Sequence, residues 1–82
     1  MPGLKSGVSV SEALHHVAQS FRTGGVEEAE ADARVLIGYA LHLDRARLIA
    51  QSDRILEARE VTVISALATR RLRREPVSPP LG

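Results

Sequence analysis

Aromatic side chains are almost absent from this sequence, and their scarcity constrains the fold more than any other feature. Phe21 and Tyr39 are the only aromatic residues, although 44% of the chain is hydrophobic. A core must therefore be built from leucine, isoleucine, valine and alanine. Because alanine and leucine favour helices, whereas strands are enriched in aromatic and β-branched residues, this composition predicts a helical protein.

The length of 82 residues suits one small domain and is too short for a nucleotide-binding α/β domain with a substrate site. Eleven basic and ten acidic side chains give a net charge of +1, which argues against a whole-protein attraction to nucleic acid. The chain contains no cysteine, so disulfides, thiolate zinc sites and cysteine nucleophiles are excluded. We expect a cytoplasmic protein, because neither a membrane-length apolar run nor the apolar segment of a secretory signal is present.

Apolar residues at helical spacing predict four helices with short connections. Their predicted bounds are 10–23, 27–42, 45–51 and 57–74. Ser9 and Glu12 have the spacing of a capping box at the first start. Gly24-Gly25 is expected to end the first helix, and Asp44 to cap the third. We therefore predict an all-α fold, a small orthogonal bundle of four to five helices.

The helical pattern divides the chain into three parts. Residues 1–8 are expected to form a flexible tail, and residues 9–75 the helical domain. Residues 76–82 are rich in proline, which stops regular structure, and are expected to begin a linker or tail.

Two apolar pairs outside the long helices are expected to pack against the core. Leu48 and Ile49 are predicted to be buried on the third helix. Ile55 and Leu56 lie in the following connection and are predicted to plug the core from that loop.

No group of residues has the spacing of a catalytic or metal site. His15 and His16 are adjacent and point about 100° apart on a helix, so they cannot bind one metal ion from successive turns. With His42, they are expected at the surface or its boundary. The chain also lacks a nucleophile elbow and a glycine-rich phosphate loop. We therefore assign no catalytic, cofactor-binding or metal-binding residue.

An acidic segment precedes the second predicted helix. Its members are Glu27, Glu28, Glu30 and Asp32. Paired carboxylates can support acid–base or metal chemistry, but carboxylates in a first helical turn also interact favourably with the helix dipole, and we favour this explanation. Asp32 is expected to be held by hydrogen bonds at a helix junction, and Asp32 and Arg34 are expected to be structural.

An arginine cluster ends the last predicted helix, with Arg70, Arg71, Arg73 and Arg74. Such a cluster can contact phosphate or an acidic protein surface. Composition alone favours another explanation, in which the cations are stabilised by the dipole at a helix C-terminus. Glu75 follows the cluster, and no aromatic side chains for base stacking are interleaved with it.

Several short segments follow one another in an order that is typical of one protein family. They are Asp32-Ala33-Arg34, Leu36-Ile37, Ala40-Leu41, Leu43-Asp44-Arg45, Leu48, Ser52-Asp53-Arg54 with Leu56, and Arg74-Glu75-Pro76-Val77. Their order and spacing, over most of residues 10–77, resemble the N-terminal domain of the HemK/PrmC family. Members of that family are protein-(glutamine-N5) methyltransferases that act on peptide-chain release factors.

The resemblance implies a role in recognition. In the family, this domain precedes a linker and a methyltransferase domain that binds S-adenosylmethionine and carries an Asn-Pro-Pro-Tyr motif. The motif positions the glutamine amide in the Gly-Gly-Gln loop of the release factor. This chain has no asparagine, so the resemblance implies a non-catalytic, release-factor-binding domain that holds no cofactor itself and belongs to a parent enzyme using S-adenosylmethionine.

The implied partners are the release factor and the C-terminal methyltransferase domain of the same chain. We expect neither association with a membrane nor direct binding of nucleic acid. The candidate contact residues are the arginines expected on the surface: Arg45, Arg47, Arg70, Arg71, Arg73 and Arg74.

The chain departs from the family pattern in two places. Glu57 stands where the family usually has a capping serine or threonine, and Ser78-Pro79-Pro80-Leu81-Gly82 replaces the usual start of the linker. Three interpretations of the chain stay open: an excised domain, a diverged copy of the domain and a shortened gene product. The alternative function is a stand-alone helical interaction module that binds RNA weakly through Arg70–Arg74; an independent enzyme is not expected.

Overall fold

Four helices make up most of the described part of the chain, which is residues 7–73 of the computed structural model. They are α1 (Val10–Thr23), α2 (Ala29–Leu41), α3 (Arg45–Ala50) and α4 (Ala58–Arg73). Over residues 7–73 there is no strand, and one isolated antiparallel bridge joins Ser9 and Ile55. The predicted all-α fold is confirmed, and its helix bounds agree closely. The expectations for residues 1–6 and 74–82 lie outside the described residues.

The start of α1 is held both by its own cap and by a distant loop. The predicted capping box is present: the Glu12 amide donates to Ser9 Oγ over 3.1 Å, and the Ser9 amide donates to Glu12 Oε1 over 2.8 Å. The Val10 amide donates to the Arg54 carbonyl over 2.9 Å. Since the first amides of a helix have no partner within it, these bonds tie the α3–α4 connection to α1.

The core is built from aliphatic side chains and alanine, with Phe21 as its one aromatic member among the described residues. α2 is central, because it contacts each of the other three helices. Ala13 on α1, Ala33 on α2 and Ala68 on α4 are completely buried. Small side chains at helix contacts let the backbones approach closely, so alanine at these positions compensates for the scarcity of large aromatic groups.

Two of the predicted buried residues are exposed. Leu48 and Leu56 are buried as expected, but Ile49 is 67% exposed and Ile55 is 58% exposed. On α3, Ile49 is turned about 100° away from Leu48, so the short helix can bury only one of them. Ile55 lies in the segment bridged to Ser9, where successive side chains point to opposite sides, so the burial of Leu56 turns Ile55 outward.

The start of α4 does not depend on a serine or threonine cap. The Glu57 amide donates instead to Glu60 Oε1 over 2.9 Å. The other carboxylate oxygen of Glu60 accepts a hydrogen bond from Arg54. One carboxylate therefore caps α4 and fixes it to the same connection that holds the start of α1.

Candidate functional site

α2 is apolar on two opposite sides, and only one of them faces the core. Ile37 is completely buried, whereas Val35 and Tyr39 are 71% and 72% exposed. Each of these two is about 200° from Ile37 around the helix axis. Surface helices of globular proteins ordinarily present polar residues to solvent. The second apolar side is therefore the first feature that makes α2 a candidate contact surface.

The α2–α3 turn is tight, and glycine makes it so. His42 ends α2 in the left-handed conformation, with φ of 58°. The Leu43 amide donates to the Gly38 carbonyl over 2.9 Å, and the His42 amide donates to the Tyr39 carbonyl over 3.4 Å, which forms a Schellman motif. A Cβ atom at position 38 would lie 2.9 Å from the Leu43 carbonyl oxygen. A side chain there would push the turn away from α2.

A groove of about 610 Å³ lies between α2 and α3, and we call it the α2–α3 groove. Its lining includes Arg34, Val35, Gly38, Tyr39, Asp44 and Arg45. A smaller space of about 150 Å³ adjoins it, because Arg34 and Arg45 line both. Ile49 lines the smaller space. The three most exposed large hydrophobic side chains of the described residues, Val35, Tyr39 and Ile49, thus border these two adjoining spaces.

Within residues 7–73, the arginines of the groove differ from most of the others in forming no ion pair. Four arginine–carboxylate pairs are formed in residues 7–73: Arg22–Glu30, Arg54–Glu60, Arg59–Glu57 and Arg71–Asp32. Within the same range, Arg34 and Arg45 form neither an ion pair nor a side-chain hydrogen bond. Asp44, the one carboxylate of the lining, caps α3 by accepting from the Arg47 amide over 2.8 Å. Two cations against one carboxylate leave the groove positive.

The two candidate arginines of α3 lie in different surroundings. Arg45 lines the groove, whereas Arg47 is about 200° away around the helix and is not part of the lining. Both side chains are exposed. Their proposed role in partner binding stays a prediction, and the structure distinguishes the two by position.

The arginines of α4 do not form a uniform free cluster. Arg71 donates to Asp32 Oδ2 through Nε over 3.2 Å and through Nη2 over 2.7 Å, which confirms that Asp32 is held at a helix junction. Arg73 also has an interaction partner. Arg70 is exposed and has no ion pair in residues 7–73. Arg74 lies outside the described residues.

Sequence reasoning missed three members of the groove. Arg34 was expected to be structural, yet its side chain is exposed and unpaired in the described part of the chain. Val35 and Tyr39 were not selected at all. A signal was available, because these two apolar residues lie one helical turn apart and off the stripe that contains Ile37.

The histidines of residues 7–73 lie at the surface or its boundary. His15 and His42 are exposed and His16 is half-buried, as predicted. In the same range no polar or charged side chain is buried, and no three histidine or acidic side chains come together as metal ligands. No helix in this range is both long enough and apolar enough to cross a membrane.

The fold and the groove define a small helical domain with an exposed groove that is both apolar and cationic. Comparison with known proteins identifies its family. The family model described as the PrmC N-terminal domain matches residues 12–79. The chain belongs to this family, as the short segments of the sequence predicted.

Two curated relatives match almost the whole chain. A release factor glutamine methyltransferase of Bradyrhizobium diazoefficiens is 44% identical over 77 residues, which cover 94% of this chain and 26% of the relative. A release factor glutamine methyltransferase of Rhodospirillum rubrum is 33% identical over 78 residues, which cover 95% of this chain and 24% of the relative. The chain thus spans about a quarter of each relative. No solved structure matches it significantly.

Proposed function

We propose that this chain is the release-factor-binding domain of a release factor glutamine methyltransferase. The match of residues 12–79 to the PrmC N-terminal domain carries the proposal, and both relatives bear the name of that activity. Methyl transfer from S-adenosylmethionine is assigned to the remainder of such an enzyme. We place residues 9–75 in the binding domain and residues 76–82 at the start of a linker or tail.

A binding domain of this kind contributes to the reaction by positioning. Methyl transfer requires the glutamine amide of the Gly-Gly-Gln loop to meet the methyl donor in one orientation, and a displacement of about 1 Å can cost about 100-fold in rate. A second contact, remote from the loop, restricts the orientation of the whole release factor. The domain would act in the cytoplasm, where translation terminates.

The alternative of a stand-alone RNA-binding module has less support. It requires the last turn of α4 to present free cations, but Arg71 is engaged by Asp32 and Arg73 also has a partner. α4 contains no aromatic residue on which a base could stack.

Calorimetric titration of the chain with a purified release factor tests the proposal. We expect saturable binding with one site, and no saturable binding of a mixed-sequence RNA oligonucleotide at physiological salt. Failure of the release factor to bind, or RNA binding that weakens steeply with salt, would contradict the proposal.

A chimaeric enzyme tests the positioning role. The chimaera is the Bradyrhizobium relative with its matching segment replaced by this chain. Its methylation kinetics are compared with those of a truncated relative that lacks the segment. We expect the chimaera to have the lower KM for intact release factor. Both enzymes should methylate a short Gly-Gly-Gln peptide equally, because the peptide cannot reach the binding domain; equal KM values for the intact protein would argue against positioning.

A further inference from the structure

We infer that the α2–α3 groove is the surface that holds the release factor, and that it receives a segment bearing apolar side chains flanked by carboxylates. The identity of the partner rests on the proposed function. The chemistry of the segment rests on the groove itself, on three features of its side chains and backbone.

The first feature is the arrangement of exposed apolar side chains. Val35 and Tyr39 lie one turn apart on α2 and are 71% and 72% exposed, and Gly38 lies between them without a side chain. Gly38 also lines the groove and adds no side chain to it. Such a surface fits apolar side chains that project from a partner helix at one-turn spacing.

The second feature is unpaired positive charge at the same place. Arg34 and Arg45 come from different helices and line both the groove and the adjoining smaller space. Neither has an ion-pair partner among residues 7–73. Because guanidinium groups bind carboxylates through paired hydrogen bonds, a partner that fits both arginines would carry acidic side chains beside its apolar ones.

The third feature extends the surface onto α3. Ile49 borders the smaller space and is 67% exposed. The two arginines therefore adjoin apolar side chains both in the groove and in the smaller space. One amphipathic segment of the partner therefore fits Tyr39, both arginines and Ile49 together. A single exposed hydrophobic residue would not by itself indicate such a segment.

A second copy of the chain fits this surface less well. In a two-fold symmetric dimer the same patch occupies both sides of the contact, so the positive grooves would face each other. Juxtaposed like charges disfavour association. Charge complementarity therefore favours an acidic partner over self-association.

Matched variants test the groove with the release factor as the ligand. We expect Tyr39→Ala and Arg45→Glu each to weaken binding by about tenfold or more. Of the six arginines that the sequence predicts as contacts, this inference retains Arg45 alone, because none of the others that lie in residues 7–73 lines the groove. Arg47→Glu is therefore the matched control, since it makes the same change on the same short helix outside the groove, and Arg70→Glu controls for the last turn of α4. Both controls should bind within about twofold of the unmodified chain, and circular dichroism should show that all four variants fold.

Two synthetic helical peptides test the chemistry without the release factor. Both carry leucines one turn apart and no aromatic residues; one is flanked by glutamates and the other by lysines. Tyr39 is the only tyrosine and the chain has no tryptophan, so tyrosine fluorescence reports directly on the groove. We expect the glutamate peptide to change this fluorescence saturably, and the lysine peptide to leave it unchanged.

The outcomes separate this inference from the proposed function. If the release factor binds but Tyr39→Ala and Arg45→Glu bind as well as the controls, the groove assignment is overturned and the proposed function stands. If the release factor does not bind but the glutamate peptide does, the proposed function fails and the groove chemistry stands. Equal response to both peptides, competition by RNA, or self-association that buries Tyr39 would overturn the inferred partner chemistry.

Discussion

The inward and outward sides of α2 are both apolar, but only the inward side is buried in the core. Ile37 on the inward side is completely buried among α1, α2 and α4 core residues, whereas Tyr39 on the outward side is 72% exposed. The difference teaches that hydrophobicity on a helix does not by itself identify the core. Burial depends on what packs against each side, and in residues 7–73 the outward side chains Val35 and Tyr39 lie mostly in solvent.

The largest expected effect on stability is found by comparing two alanine substitutions, one on each side of α2. Ile37→Ala should lower the free energy of unfolding by about 2–5 kcal/mol, because it removes buried methyl groups and leaves a cavity. Tyr39→Ala should change it by no more than about 0.5 kcal/mol, since the side chain is mostly in solvent. Urea denaturation followed by circular dichroism measures both, and equal losses would show that the outward side is also packed.

The next effect concerns the turn that shapes the groove. Gly38→Ala should lower the free energy of unfolding by about 1–2 kcal/mol, because the new Cβ meets a backbone oxygen that cannot yield without moving the turn. This strain must exceed the gain in helix propensity of about 1 kcal/mol.

Gly24→Ala is the control for this glycine. Its Cβ would meet the end of the Leu72 side chain, which can rotate away, instead of backbone at close range. The same urea titration should therefore show a smaller loss than for Gly38→Ala. A Gly38→Ala protein more stable than the unmodified chain would mean that the turn is not tight.

A smaller effect, of opposite sign, is expected at the end of α2. His42 has φ of 58°, a conformation that costs non-glycine residues about 1–2 kcal/mol. His42→Gly should therefore raise the free energy of unfolding by up to about 1 kcal/mol. His15→Gly, the same change inside α1, should lower it by a similar amount. A loss of stability in both variants would contradict the left-handed cap.

The smallest effect is expected from the ion pair that joins α2 to α4. Asp32 and Arg71 are partly exposed, and such pairs typically contribute about 0.2–1 kcal/mol. A double-mutant cycle with Asp32→Ala and Arg71→Ala should give a coupling energy in that range, and added salt should reduce it. A coupling energy near zero would show that Arg71 behaves energetically as an unpaired surface cation.

Local features of this fold could be predicted from the sequence, and long-range ones could not. The capping box at Ser9 and the cap at Asp44 depend on neighbours three residues away, so the sequence pattern located both helix starts. The Asp32–Arg71 pair joins residues 39 positions apart, and only the packing of α4 against α2 reveals it. Ile49 was misplaced for the same reason, since periodicity on a short helix cannot tell which side meets the core.

The groove could not be predicted from the sequence, because none of its lining residues carries a distinctive sequence signal by itself. Arg34 and Arg45 belong to different helices, and only the fold shows that they line one groove and lack ion-pair partners in residues 7–73. The densest arginine cluster of the sequence indicated the end of α4 as a contact site, although Arg71 and Arg73 of that cluster already have interaction partners. Clustering in sequence was thus a weaker guide to a free cationic surface than pairing in the fold.

The most direct test of the contact surface is a residue-resolved map of the release factor on this chain. In a two-dimensional NMR spectrum of the isotopically labelled chain, unlabelled release factor should attenuate the backbone signals of Val35, Tyr39 and Arg45 first. The signal of Arg70 should persist. Attenuation confined to the last turn of α4, with the groove signals unchanged, would contradict the assignment of the contact surface to the outward side of α2.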